Sequence, residues 1–360
     1  MQFNTPRNIR FGRGSVEKLR DFVDGKTLII SGENVWKNVK ELISLDSPVV
    51  YVKRRRWKEP SEDDVKFLAQ EIISHSPSTI VAVGGGSVID SAKLAWIFYE
   101  YPDIQWEDIY SKISKLRRNT KFIAVETTSG TGTGVSAAAV VTDEKGKKRG
   151  VVSLELIPDV AIYDSNLVMG MPEDVVIYSG MDALGHAVEA YTTNVNNIIG
   201  DTLALKAVEL IYFNIEDSVK GDENAREKVH YGNMLAGMAF ANSRLHLPHA
   251  IAHALGGRYK IEHGKMVGMA LPYVLRLGEK CCERFASLAR MFGKGASQAI
   301  WELQDRLGFP HRLRIKEEDI PLLVEEIIND RLLKYYPCKV SKDEISKVLY
   351  AIREGDLDEI

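Results

Sequence analysis

The chain has 360 residues, 45% hydrophobic and 27% charged, with 47 basic and 50 acidic side chains and a net charge of −3. These fractions exclude a disordered chain, and the length exceeds one usual small core, so two domains, or one large one, are expected. There is no cationic excess to neutralise phosphates, which argues against nucleic acid, and no apolar run of about 18 residues to cross a membrane. The start, MQFNTPRNIRFGRG, has no apolar core and does not read as a signal peptide. Of the three cysteines two are adjacent, Cys281 and Cys282, and the third is Cys338. An odd count with an adjacent pair argues against a disulfide framework and for a reducing cytoplasm.

Along the first part of the chain, short apolar runs alternate with helical patterns. Thr27–Ile30, Pro48–Val52, Thr79–Val83 and Lys121–Val125 read as buried strands, and Asp63–Ser74 and Val88–Tyr99 as helices between them. Further β-rich pieces stand at Val135–Val141 and Val160–Tyr163. This order predicts a parallel sheet covered on both faces. After Asp164 the β-rich runs stop, and Glu173–Tyr191, Thr202–Ile215, Ala225–Ala241, Ala250–Gly256, Glu279–Phe292, Ser297–Leu307 and Asp343–Arg353 read as helices. A boundary near residues 163–165 is expected, with an α/β domain over 1–163 and an all-α domain over 164–360. The run Lys53-Arg54-Arg55-Arg56 reads as a solvated loop.

Two loops follow buried strands. Gly84-Gly85-Gly86-Ser87 lets backbone N–H groups approach an anion at the start of a helix, and Ser87 with Asp90 has capping-box spacing. One glycine would suffice for a plain turn. The run is neither G-x-G-x-x-G nor a G-x-x-x-x-G-K-[ST] phosphate loop. In the second loop, Thr127–Gly134, small hydroxyls alternate with glycines and offer donors to phosphate or ribose.

The later part concentrates histidines: His246, His249, His253 and His263 fall close together, out of eight in the chain. His249 and His253 are spaced i,i+4 and share a helix face, as do Asp182 and His186 inside an apolar helix. Buried polar side chains of this kind need a partner, and a divalent transition metal, iron(II) or zinc, suits imidazole and carboxylate donors.

These residues resemble the iron-containing alcohol dehydrogenase family. The resemblance rests on FGRG at Phe11–Gly14, GGGSVIDSAK at Gly84–Lys93, TTSGTG at Thr127–Gly132, IPDVAIYD at Ile157–Asp164, GMDALGHAVEAY at Gly180–Tyr191 and HAIAHALGGRYKIEHG at His249–Gly264. It implies a Rossmann-like dinucleotide-binding domain followed by a helical domain, an architecture like that of dehydroquinate synthase, with the site in the cleft between them. Asp182, His186, His249 and His263 would be the metal ligands. Gly85, Gly86 and Ser87 would hold the pyrophosphate, with Asp90 supporting the turn, and Thr127, Thr128 and Thr131 would line the cofactor. Phe240 would lie near the substrate. His253 would lie near metal and nicotinamide, either relaying a proton or orienting a ligand.

The implied reaction is hydride transfer between nicotinamide C4 and a small alcohol or aldehyde whose oxygen is polarised by the metal. Gly32, after the first strand, carries no acid to repel a 2′-phosphate; Ser31 can donate to one, Lys37 is close in sequence, and Glu33 argues the other way only if it turns inward. NADP(H) is therefore expected to be preferred moderately over NAD(H). Further copies of the chain, as a dimer or larger homo-oligomer, are expected partners.

The chain departs from the family pattern in three places. Asn242–Pro248 carries Arg244, His246 and Pro248 where small residues are usual, Thr133-Gly134 stands where Ser-Glu is common, and Glu126 stands where proline is common. Arg244 either faces the substrate, favouring an acidic aldehyde, or faces solvent, a subunit contact or the cofactor phosphates. Three alternative functions use the same donors: a metal-dependent lyase or hydrolase of a phosphorylated small molecule, a cyclase that uses NAD without net redox change, and a non-catalytic metal-binding module.

Overall fold

The computed structural model describes residues 2–52, 60–111, 113, 119–144 and 148–360. The basic run 53–56 lies outside them. The chain divides into two compact units, Gln2–Pro172 and Glu173–Ile360. The division thus falls later than the 163–165 expected, because a helical turn at Ser165–Val168 still belongs to the first unit.

The first unit is built on a six-stranded parallel sheet. Its strands are β1 (Asn8–Phe11), β2 (Thr27–Ser31), β3 (Val49–Tyr51), β4 (Thr79–Gly84) and β5 (Lys121–Glu126), then a separate antiparallel hairpin, β6 (Ala138–Thr142) and β7 (Lys148–Val152), and finally β8 (Val160–Tyr163). The order across the sheet is β1-β8-β5-β4-β2-β3. Helices α1 (Glu33–Val39), α2 (Glu62–His75), α3 (Gly86–Glu100) and α4 (Trp106–Ser111) connect the strands.

Alternation along the central strands explains why they read as continuous apolar runs. Leu28, Ile30, Ile80, Ala82, Phe122 and Ala124 pack with Val65, Leu68, Ile89 and Trp96, while Ile29, Val81, Val83, Ile123 and Val125 pack with Val16, Leu19 and Val39. Both faces are covered, so both sets must be apolar. The short β1 escapes the sequence reading because it is an edge strand of four residues, two of them polar. It is anchored by Asp164, whose carboxylate accepts from the Gly14 and Val16 N–H groups at 3.1 and 2.9 Å and so joins two of the quoted motifs.

The second unit is helical: α5 (Glu173–Thr192), α6 (Ile198–Tyr212), α7 (Ile215–Val219), α8 (Glu223–Asn242), α9 (Leu247–Tyr259), α10 (His263–Glu279), α11 (Glu283–Phe292), α12 (Ala296–Arg306), α13 (Ile320–Ile328) and α14 (Lys342–Glu354). Helix α5 lies against α6, α8 and α10, and α9 against α10 and α13. The single helix expected over Glu279–Phe292 is broken: α10 ends at Glu279 and α11 starts at Glu283, because the chain turns at Lys280–Cys282. Likewise the stretch expected over Thr202–Ile215 ends at Tyr212, and α7 begins at Ile215. None of the described helices is long and apolar enough to cross a membrane.

The cysteine expectation is corrected. Cys281 is disulfide-bonded to Cys338, with Cα atoms 6.2 Å apart, and Cys282 keeps its thiol. Adjacency stops Cys281 from pairing with Cys282 but leaves either able to pair elsewhere, and the chain returns to the end of α10 just before α14. Cysteine usage therefore no longer supports a reducing compartment. The bridge closes a separation of 57 residues, and restricting a loop of that size in the unfolded chain stabilises the fold by about 2–4 kcal/mol. Cys338→Ser should lower the unfolding free energy by about that amount in guanidinium melts, and the difference from wild type should vanish in reductant.

Candidate active site

Helix α5 contributes Asp182 and His186 one turn apart, both buried. Helix α9 contributes His249, and the first residue of α10 contributes His263. One donor atom each from Asp182, His249 and His263 falls within a 4.8 Å group. His249 Nε2 lies 3.8 Å and His263 Nε2 3.9 Å from Asp182 Oδ1, and His249 Nε2 lies 3.0 Å from His186 Nε2. Three of the four residues singled out from the resemblance thus form one group, and His186 adjoins it through His249. Close helix approach allows it: a Cβ on Gly264 would stand 2.3 Å from the Tyr178 carbonyl oxygen and 3.1 Å from Asp182 Cβ, so only glycine lets α10 bring His263 to α5.

A residue not anticipated from the sequence holds this group together. Glu189, fully buried one turn beyond His186, accepts from the His246 N–H at 2.8 Å and the His249 N–H at 3.4 Å, and is hydrogen-bonded to His249 Nδ1. A proton on His249 Nδ1 directed at Glu189 leaves Nε2 with a lone pair aimed at the group, as a metal-binding imidazole requires. Burial pushes the Glu189 carboxyl up, opposed by His246 and His186. The same signal that marked Asp182, an acid within an apolar helix, was available at Glu189.

One carboxylate and three imidazoles without a thiolate fit iron(II) or zinc. Asp182, His186 and His249 are buried, whereas the His263 side chain is 28% exposed and that of His253 30%. The group is therefore closed on its helix side and open on the His263 side. His253 is not part of the convergent group. Its ring lies parallel to His263 with centroids 5.9 Å apart, and its Nδ1 is 3.3 Å from Asp330 Oδ2. Asp330, which follows α13, carries no periodic signal and was not anticipated. Phe240 stacks on His186 at 4.7 Å.

Arg244 and His246 do not join the group. Arg244 is exposed, with its guanidinium 5.7 Å from the Tyr335 ring centre. His246 is a core histidine: the Thr192 hydroxyl donates to the Val188 carbonyl, so His246 Nε2–H donates to Thr192 Oγ1 at 2.9 Å. Burial pushes its pKa down to about 4.

In the first unit the chain leaves β2 toward β3 and returns to β4 on the other side of β2, a switch point at whose strand ends open sheets bind ligands. Gly32 follows β2 there, and the two glycine loops leave the neighbouring strands β4 and β5 at one level, Gly84 facing Glu126. The loops pack on each other. A Cβ on Gly85 would stand 2.7 Å from Thr128 Cγ2, and one on Gly86 2.5 Å from Thr131 Cγ2. Close packing is thus itself a reason for the glycine run. The expected capping box is absent: α3 has Gly85 at its N-cap with no side-chain cap, and Ser87 lies inside the helix. Asp90 instead accepts from the Thr133 hydroxyl at 2.5 Å and the Val140 N–H at 2.9 Å. The Ser31 hydroxyl, expected to be open to a phosphate, is buried and donates to the Val83 carbonyl at 2.8 Å. Glu33 and Lys37 pair at 2.8 Å with both side chains largely exposed.

The comparisons with known proteins agree with this architecture. Residues 6–165 match the iron-containing alcohol dehydrogenase family model and residues 176–352 the Fe-containing alcohol dehydrogenase family C-terminal model. An NADPH-dependent butanol dehydrogenase of Clostridium saccharobutylicum is 34% identical over 99% of this chain and 98% of its own length. An alcohol dehydrogenase of Thermococcus barophilus is 36% identical over 81% of each chain. The structure of an iron-containing alcohol dehydrogenase from Thermococcus thioreducens superposes with a TM-score of 0.89 at 31% identity, covering 99% of this chain and 100% of that one. The chain belongs to the iron-containing alcohol dehydrogenase family.

Proposed function

We propose that this protein interconverts a small alcohol and its aldehyde with NADP(H), using a divalent metal held by Asp182, His186, His249 and His263, iron(II) before zinc. The observation that carries the reading is the grouping of Asp182, His249 and His263, with His186 against His249 and the Glu189 carboxyl group on His249 Nδ1. A bound divalent ion supplies Lewis acidity, polarising the substrate oxygen and lowering the pKa of an alcohol. The chain's own residues do the rest. Asp182 and the imidazoles hold fixed donor positions, and Phe240, stacked on His186, gives an apolar wall for a short carbon chain. Asp330 holds His253 Nδ1, so that Nε2 is the atom that takes the substrate proton in oxidation and returns it in reduction. Arg244 is exposed and paired with an aromatic ring, which supports the solvent-facing alternative and leaves no selection for acidic aldehydes in this reading.

Gly85, Gly86, Ser87, Thr127, Thr128 and Thr131 would carry the dinucleotide, with Asp90 bracing the second loop. Gly32 presents no acid to the adenosine ribose, and Glu33 is turned to Lys37, which together support acceptance of a 2′-phosphate. The NADPH named in the Clostridium relative points the same way.

Asp182→Asn and His263→Ala should each abolish turnover, with bound metal lost by elemental analysis and a cooperative melt retained. Glu189→Gln should bind metal about 10–100-fold more weakly in competition with a chelator. His253→Ala should lower kcat on the order of 100-fold and be rescued in part by added imidazole; a change of only a few-fold would assign His253 to orientation instead. The specificity ratio kcat/KM should favour NADPH, and Gly32→Asp, whose Cβ would meet nothing closer than Val35 Cγ2 at 3.6 Å, should shift it toward NADH by about tenfold. A wild-type ratio at least about tenfold in favour of NADH would contradict this reading of Gly32.

A further inference from the structure

Beneath the second loop lies a buried ionisable cluster that the reaction does not use. Glu126, the last residue of β5, is fully buried. Its Oε1 accepts from the Thr128 hydroxyl at 3.1 Å and its Oε2 from the Gly134 N–H at 3.2 Å, so one side chain ties both ends of the Thr127–Gly134 loop. From α3, the buried Lys93 donates to the carbonyls of Thr133 at 2.7 Å, Ser136 at 2.8 Å and Ala138 at 3.2 Å. Asp90 accepts from Thr133 and Val140. Asp90 and Lys93 thus hold Thr133 and the segment after the loop against α3, whereas Glu126 joins Thr128 to Gly134 across the loop.

Residue 134 is glycine for a related reason. A Cβ there would stand 3.3 Å from Glu126 Oε2 and 3.1 Å from the Tyr163 hydroxyl. A side chain from 134 would enter the space that the Glu126 carboxyl fills. The two positions are alternatives for placing one carboxyl group under the loop.

We propose that Glu126 is a positioning residue for cofactor binding: its carboxyl group closes the Thr127–Gly134 loop so that Thr128 and Thr131 rest on Gly85 and Gly86 before a dinucleotide arrives. The inference rests on the assignment of these loops to the cofactor. A loop ordered in advance loses less freedom on binding, so the effect falls on cofactor affinity and not on the chemical step. Burial pushes the Glu126 carboxyl up to about 8, so glutamine is its near-isostere at neutral pH.

The test uses the metal-loaded full chain, with NADPH binding followed by fluorescence titration and steady-state kinetics run alongside. E126A should raise the NADPH Kd and cofactor KM by about tenfold, with the alcohol KM and saturated kcat within twofold of wild type. E126Q should stay within about threefold of the wild-type Kd, and E126A/G134E, which moves the carboxyl to the other position, should recover most of the loss. A cavity that merely destabilised the fold would lower the melting temperature without splitting KM from kcat. An E126A chain with wild-type Kd, or one losing kcat and affinity alike, would overturn the proposal. Where E126A does not melt cooperatively, E126A/G134E decides: wild-type affinity supports the role and a tenfold loss overturns it. Wild-type protein that binds neither NADPH nor NADH would remove the cofactor assignment itself, a result distinct from unchanged binding in the variants.

Discussion

The hydrogen bonds of Glu189 are the interaction on which the helical unit depends. A carboxyl group fully removed from water is costly unless its oxygens are satisfied, and here they take two backbone N–H groups at the start of α9 and the ring nitrogen of His249. The same bonds set where α9 begins, how His249 is rotated and which of its nitrogens keeps a lone pair. Without them α9 could slide or turn relative to α5, and the His186–His249 approach of 3.0 Å would not be fixed. Packing and chemistry therefore share one side chain, and the cost of burying it is offset by the donor geometry it enforces.

The α/β unit solves a parallel problem by steric means. Two loops leave adjacent strands at one level, and glycines in one accept threonine side chains from the other. The buried cluster of Asp90, Lys93 and Glu126 then fastens the hydroxyl-rich loop from below. Glycine at the loop tip and charge beneath it are two parts of one arrangement, because a flexible loop is useful for binding only when something else removes its freedom.

Much of this was legible in the sequence, for physical reasons. Strands β2, β4, β5 and β8 are buried on both faces and so appear as unbroken apolar runs, whereas the edge strand β1, half polar, does not. Asp182 and His186 stood out as polar residues one turn apart in an apolar helix, and the histidines of α9 and α10 as a local excess. Glu189 carried the same signal as Asp182, but its partners are the His246 and His249 N–H groups and the His249 ring at the start of α9, which lie far along the chain, so its role appears only with the geometry. Asp330 and the Cys281–Cys338 pair depend on where the chain returns after long intervals, which local pattern does not encode. Ser87 and Asp90 show the opposite failure: capping-box spacing was present, but tertiary partners in Thr133 and Val140 took the carboxylate.

The proposed function requires Asp182, His186, His249 and His263 to act as one metal-binding set in this member of the iron-containing alcohol dehydrogenase family. X-ray absorption at the iron edge, on protein loaded anaerobically with iron(II) and desalted, tests it most directly. The account predicts one tightly held iron per chain, with scattering from three imidazoles and one carboxylate oxygen. Iron that washes out on desalting, or a spectrum with a single imidazole, would contradict it.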